Sequence, residues 1–234
     1  MASDLNRANK TLVLILGLLL GVTVRGAKPE ALPDGHDLTS PELLERKQDL
    51  QQSIKALKRS QGKFERFMAE GRIRTTLCRN CHGEYGVSTM PGVPSLAGQN
   101  PVYLVEQLER FADGRRSEFL MSGLAKSLSE RDRLRLAVYY ASLAPAPPVA
   151  ADPELVARGA ALYRSGCVRC HGADGRGERG YARLAGQRSD YVVKRLQQFR
   201  ERTAAGADAR MSAQPGALRD EDIEAVAAYV GTLP

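Results

Sequence analysis

Tryptophan is absent from this 234-residue chain, and eight tyrosines and five phenylalanines supply all of its large rings. Domains of the size such a chain allows bury only about 60–65% of their unfolded surface, so a core this poor in aromatics needs apolar volume from another source. Long hydrophobic runs are also lacking. The uncharged, largely apolar stretch 11–24 spans about 21 Å as a helix, short of the ~30 Å hydrocarbon core of a bilayer. With Arg7 and Lys10 ahead of it, residues 1–26 read as an export signal, Val24-Arg25-Gly26 being the better of two imperfect cleavage sites. An uncleaved N-terminal anchor is the alternative. Charge of one sign is in modest excess, 34 basic residues against 27 acidic for a net +7. The charges in the helices are mixed in sign and lack the interleaved aromatics of a base-stacking surface, which excludes nucleic acid as a partner.

Soft and nitrogenous ligands are few: four cysteines, three histidines and five methionines. All four cysteines and two of the histidines fall in one repeated pentapeptide, Cys78-Arg79-Asn80-Cys81-His82 and Cys167-Val168-Arg169-Cys170-His171. Cys-x-x-Cys-His is the attachment signature of c-type haem. Residues three and four apart share a helix face, so two thiols and an imidazole address one porphyrin. Two disulfides would leave the histidine after each second cysteine without a role. A four-thiolate zinc site is disfavoured by the 85 residues between the two pairs, where about 15–20 are usual. The spacing predicts two covalently bound haem c groups, attached through Cys78 and Cys81 and through Cys167 and Cys170, with His82 and His171 on iron. The haems then supply the apolar volume that the aromatics do not.

The surrounding sequence repeats as well, which predicts one domain per haem. Leu96-Ala97-Gly98-Gln99 matches Leu184-Ala185-Gly186-Gln187, and Tyr103 matches Tyr191, at an offset of 88. Gly71 and Gly159 precede the two motifs, each inside an expected helix, where glycine costs stability unless another element packs close against it. Helices are expected at Pro101 to Ala112 (cap Asn100, stop Gly114) and Asp190 to about Arg202 (cap Ser189), and Ser129 opens a near capping box. The Pro-rich run 145–153 reads as a semi-rigid spacer. Ahead of the first repeat, Leu43, Leu50, Ile54, Leu57, Phe64 and Met68 lie on one face of a helix from Pro41, capped by Ser40, to about Phe64. That helix has no counterpart in the second repeat; it either packs across its own domain or docks a partner. The expected divisions are 1–26, an extension 27–66, domains 67–144 and 154–234, and the linker 145–153.

Only Met121 and Met211 recur at equivalent places, 39 and 40 residues after His82 and His171. A thioether suits haem iron, and Met/His ligation raises the reduction potential. This makes Met121 and Met211 the expected second axial ligands, with Met90 the competitor at the first haem and His36 the one spare histidine. Pro94 and Ala182 are placed to offer a carbonyl to the other ring nitrogen of His82 and His171. Gln99, Gln187, Tyr103 and Tyr191 are candidates for the haem propionates or for ordinary turn and core roles.

With paired Cys-x-x-Cys-His-Gly, Leu-Ala-Gly-Gln, Met-Ser and a closing Ala-Tyr helix, residues 67–234 resemble a class I dihaem cytochrome c of the cytochrome c-four family. The resemblance implies an all-α chain of two tandem cytochrome c domains whose first and last helices cross near Gly71/Tyr139 and Gly159/Tyr229. It also implies an electron carrier, not an enzyme, in the bacterial periplasm, soluble after signal cleavage or anchored to the inner membrane by the N-terminus. Its partners would be a donor complex of the respiratory chain and a terminal oxidase. The alternative is the electron-accepting cytochrome subunit of a periplasmic dehydrogenase. A dihaem peroxidase needs an open iron position, and a methionine at both sites argues against one.

Overall fold

In each half of the chain the helix leading into the cysteine motif crosses the closing helix at a glycine. The computed structural model describes residues 41–177, 179–201, 211 and 213–234, with backbone alone for 41–44, 214 and 215. The expected export segment, His36 and Ser40 lie outside these residues. Among the described residues the regular elements are helices: α1 (Pro41–Arg59), α2 (Gln61–Arg74), α3 (Arg79–His82), α4 (Pro101–Asp113), α5 (Phe119–Ser127), α6 (Glu130–Ala141), α7 (Pro153–Gly166), α8 (Val168–His171), α9 (Ser189–Arg200) and α10 (Asp220–Thr232), with a 3-10 turn at Gln214–Ala217. None of them is long and apolar enough to cross a membrane.

The crossings explain the two helical glycines. A Cβ on Gly71 in α2 would stand 2.9 Å from the Cβ of Tyr139 and 3.0 Å from the Arg135 carbonyl oxygen on α6. On Gly159 in α7 it would run into the Ala225 carbonyl and stand 2.8 Å from the Cβ of Tyr229 on α10. Each glycine gives up about 1 kcal/mol of helix propensity, and close backbone contact and burial offset it. Around the second crossing Tyr163, Ile223, Val226, Ala227 and Val230 form the core, and around the first Leu104, Leu136, Ala137, Tyr139 and Tyr140 do.

The caps fix where the intervening helices start. The Asn100 side chain accepts from the amides of Val102 and Tyr103, with Pro101 in the first turn, and Gly114 ends α4 in the left-handed region at φ +86°. Ser129 accepts from the Asp132 amide at the start of α6. Arg219 offers no acceptor, and the Asp222 carboxylate reaches back to the Arg219 amide at 3.1 Å instead. Ser189 departs from expectation: it is the first residue of α9, and its hydroxyl donates to the Ala227 carbonyl on α10 at 3.2 Å. Tertiary packing has taken the group that the local pattern assigned to a cap.

The N-terminal helix also differs. The apolar stripe predicts one helix to about Phe64, but the chain bends at Ser60 (φ −103°, ψ 92°). Phe64, Phe67 and Met68 therefore ride on α2, and the division drawn between 66 and 67 falls inside that helix. α1 folds back on its own domain. Ile54 is buried against Val102 and Val138, Lys47 pairs with Glu106 at 3.0 Å and Arg46 with Glu109 at 2.5 Å. Burying a side chain of that size is worth about 1.5–3 kcal/mol, whereas ion pairs so placed add little net stability.

The Pro-rich linker is fastened rather than free. A Cβ on Gly98 would stand 2.9 Å from Pro145, one on Gly186 2.8 Å from the Ala146 carbonyl oxygen. The Val149 amide donates to the Gly231 carbonyl at 2.9 Å. Gly98 and Gly186 sit at φ +67° and +69°, a conformation that other residues adopt only with strain.

Candidate haem sites and the interface between them

Both pentapeptides form a single helical turn, α3 and α8. The His82 amide donates to the Cys78 carbonyl at 2.9 Å and the His171 amide to the Cys167 carbonyl at 3.0 Å. This is the i to i+4 relation that puts the first thiol and the imidazole on one face. Gly83 and Gly172, at φ +84° and +81°, turn the chain away directly after each histidine.

The imidazoles are held alike. His82 Nδ1 lies 2.8 Å from the Pro94 carbonyl oxygen, and His171 Nδ1 lies 2.8 Å from that of Ala182. A carbonyl only accepts, so Nδ1 carries the proton and Nε2 presents its lone pair. Burial pushes the pKa of both histidines down against the opposing pull of those carbonyls, which favours the neutral, ligating form. Ala182 thus performs the task of Pro94 without the ring, as expected of a carbonyl.

The cysteines are four free, half-buried thiols. Burial raises the Cys78 thiol and pushes Cys167 up to about 11. Among the described residues no three of His, Cys, Asp and Glu gather in a way that could hold a metal ion. Two half-buried thiols beside an imidazole whose Nδ1 is tied to a carbonyl fit covalent haem.

The methionines are placed less uniformly. Met211 packs, half-buried, against the same apolar cluster as Cys167 and Leu184. Met121 is half-buried on α5, its amide donating to Glu118 Oε2 at 3.0 Å, and it is outside the cluster that Cys78 borders. Met90 is 42% exposed in the loop ahead of Pro94.

The repeated glutamines have a role that the sequence did not indicate. Gln187 accepts from the Ser95 amide and donates to the Ser95 carbonyl, both at 2.9 Å. Gln99 accepts from the Arg183 amide at 2.6 Å and donates to the Arg183 carbonyl at 2.9 Å. Each side-chain amide thus closes a two-bond ring with the backbone N–H and C=O of one residue of the opposite domain. Asn100 and Arg188 add the same exchange, donating to the Gly177 and Ser88 carbonyls at 3.0 Å. Ser95 and Arg183, like Gln99 and Gln187 and like Asn100 and Arg188, are 88 residues apart, so the interface is pseudo-two-fold. The common offset was the available signal. We expect Gln187→Leu to leave two buried peptide groups unpaired, at about 1–3 kcal/mol each, and to speed hydrogen exchange of the Ser95 amide about tenfold or more.

Beside these contacts Arg116 donates to Gln107 at 2.7 Å and to the Tyr191 hydroxyl at 3.0 Å, and its guanidinium lies 4.5 Å over the Phe111 ring. Arg195 donates to Gln198 at 2.7 Å and lies 4.6 Å over Phe199. Burial and the Arg116 charge pull Arg195 down, while burial and Tyr191 hold the Tyr103 phenol up. Two neighbouring cations among phenols and amides suit carboxylate counter-ions, and the propionates of haem are such groups.

Fold and site together define a two-domain class I c-type cytochrome. The cytochrome c family profile matches residues 156–234. Over 177 residues the chain is 38% identical to cytochrome c4 of Pseudomonas aeruginosa, covering 70% of this chain and 88% of that one. It is 36% identical over 172 residues to the thiosulfate dehydrogenase electron acceptor of Thiomonas intermedia, covering 67% of this chain and 78% of that one. The crystal structure of reduced recombinant cytochrome c4 from Pseudomonas stutzeri superimposes with a TM-score of 0.66 at 32% identity, covering 70% of this chain and 97% of that one. The chain belongs to the cytochrome c4 family, whose members transfer electrons and are not enzymes.

Proposed function

We propose that the chain carries two haem c groups, one on Cys78 and Cys81 and one on Cys167 and Cys170. His82 and Met121 are the axial ligands of the first, His171 and Met211 those of the second. It passes electrons in the bacterial periplasm from a respiratory-chain donor to a terminal oxidase. The observation that carries this reading is the duplicated imidazole geometry, in which each Nδ1 is tied to a carbonyl and each Nε2 is left for iron. With His82 and Met121 on one iron and His171 and Met211 on the other, neither haem would keep a position for a substrate, and the pair would suit one-electron exchange between proteins. The pseudo-two-fold interface sets one domain against the other without a diffusive step between them. The leader 1–26 delivers the chain to the compartment where haem c is attached and either is cleaved or tethers the chain to the inner membrane.

A second reading, acceptor of electrons from a periplasmic dehydrogenase, is favoured by the likeness to the Thiomonas intermedia acceptor. Helix α1 adds nothing to that reading, because its Leu50, Ile54 and Leu57 pack in the cluster of Val102 and Val138.

Pyridine haemochrome assay is expected to give two haems per chain, and one after Cys167 and Cys170 are both replaced by serine. Two haems remaining after that replacement would overturn the assignment. Stopped-flow mixing of the reduced protein with a terminal oxidase, and of the oxidised protein with a thiosulfate dehydrogenase and thiosulfate, separates the two readings by which reaction proceeds at a rate that saturates.

A further inference from the structure

Each domain buries one tyrosine beside its first cysteine, but from different helices and with different fates for the hydroxyl. In the second domain it is Tyr163 on α7, fully buried, whose hydroxyl donates to the Gly172 carbonyl at 2.7 Å. The position 88 residues earlier is Thr75, whose own hydroxyl turns back to the Arg72 carbonyl at 2.7 Å. In the first domain the ring comes from Tyr140 on α6, where the second domain has Val230, 90 residues on.

The Tyr140 ring packs against Gly86, where a Cβ would stand 2.8 Å from it, and meets Tyr139 edge to face at 5.4 Å between centroids. Tyr140 is 2% exposed. Its hydroxyl is buried facing the Cys78 thiol, the group whose proton it acts on, and meets no other acceptor among the described residues. Burial is also the largest cause holding the phenol protonated, with the Cys78 thiol next. Leaving a buried O–H unspent costs about 1–3 kcal/mol, and the Cys78 sulfur is the acceptor within its reach.

We propose that Tyr140 is the residue that makes the two haems unequal, donating its O–H to the Cys78 thioether sulfur and raising the reduction potential of the first haem. This rests on the reading that both pentapeptides carry haem. A donor at the sulfur withdraws electron density from the attached ring and so favours the ferrous state. Hydrogen bonding around the cofactor is one of the levers by which proteins set such potentials. The second domain lacks this lever, because Val230 has no donor and Tyr163 has spent its own.

The test is Tyr140→Phe in the full-length, haem-loaded chain, followed by spectroelectrochemical titration of both haems. The ferrous-to-ferric ratio of one haem at fixed potential is expected to fall about three- to tenfold, that is about 28–59 mV for a one-electron couple. The other haem is expected to hold its midpoint. The same fall is expected when Tyr140→Phe is placed in the chain whose Cys167 and Cys170 are serine, which assigns it to the first domain. Tyr140→Leu, which removes the hydroxyl with the ring, serves if the phenylalanine variant does not accumulate. Tyr163→Phe is expected to move neither midpoint. Unchanged midpoints in Tyr140→Phe with both haems in place, or an equal fall at both, would overturn the proposal. Fewer than two haems in the unaltered chain would instead overturn the haem reading beneath it.

Discussion

Met121→Ala and Met211→Ala are each expected to abolish the methionine–ferric absorption band at one haem and leave it at the other, so that each variant keeps about half of the band and the double variant keeps none. The argument starts from scarcity. Of five methionines, only these two occupy equivalent places in the repeat. Met211 stands at the edge of the apolar cluster that Cys167 also borders, and Met121 is carried by α5 in a first turn capped by Glu118. Losing a thioether from a His/Met site also lowers the midpoint potential, since Met/His ligation is what raises it. The competitor is tested alongside. Met90→Ala is expected to leave the band intact, consistent with a side chain 42% exposed. A full band in both Met121→Ala and Met211→Ala would remove the axial assignment.

Gly159→Ala is expected to destabilise the second domain by about 3 kcal/mol, the upper part of the range for overpacking a tight contact, with a fall in Tm of roughly 10 °C or more. The new methyl runs into the Ala225 carbonyl, a backbone atom that cannot swing aside, and meets the Tyr229 Cβ at 2.8 Å. Alanine's better helix propensity returns only about 1 kcal/mol. Gly71→Ala makes the useful comparison, since its nearest contacts are 2.9 and 3.0 Å and a small shift of α2 against α6 accommodates them. Its expected cost is about 1 kcal/mol. Differential scanning calorimetry of the haem-loaded variants reads both, and equal costs at the two positions would contradict the crossing geometry.

What the sequence made legible was what is written locally or written twice. The Asn100 and Ser129 caps are local. The crossing glycines, the thiol–thiol–imidazole turns and the carbonyls of Pro94 and Ala182 are all duplicated, so each copy supports the other. The failures were tertiary. A hydrophobic stripe continuing through Ser60 gives no sign that the chain bends there, because the periodicity of α1 and α2 stays in phase across the break. Ser189 has the right type for a cap, and α10 claims its hydroxyl. Gln99 and Gln187 repeat as plainly as the histidines do. Their partners are backbone peptides of the other domain, and a peptide group leaves no mark of its own in a sequence.

The reciprocal glutamine contact also bears on how such a chain came to be joined. A contact in which each half offers the other the same residue and receives the same residue in return is the self-complementary kind that builds a two-fold homodimer. The segment 145–152 is therefore the bond in a covalent dimer, keeping each surface at an effective concentration on the order of millimolar from its mate. Severing that segment with a protease is expected to leave the two fragments associated at high protein concentration and to let them part on dilution.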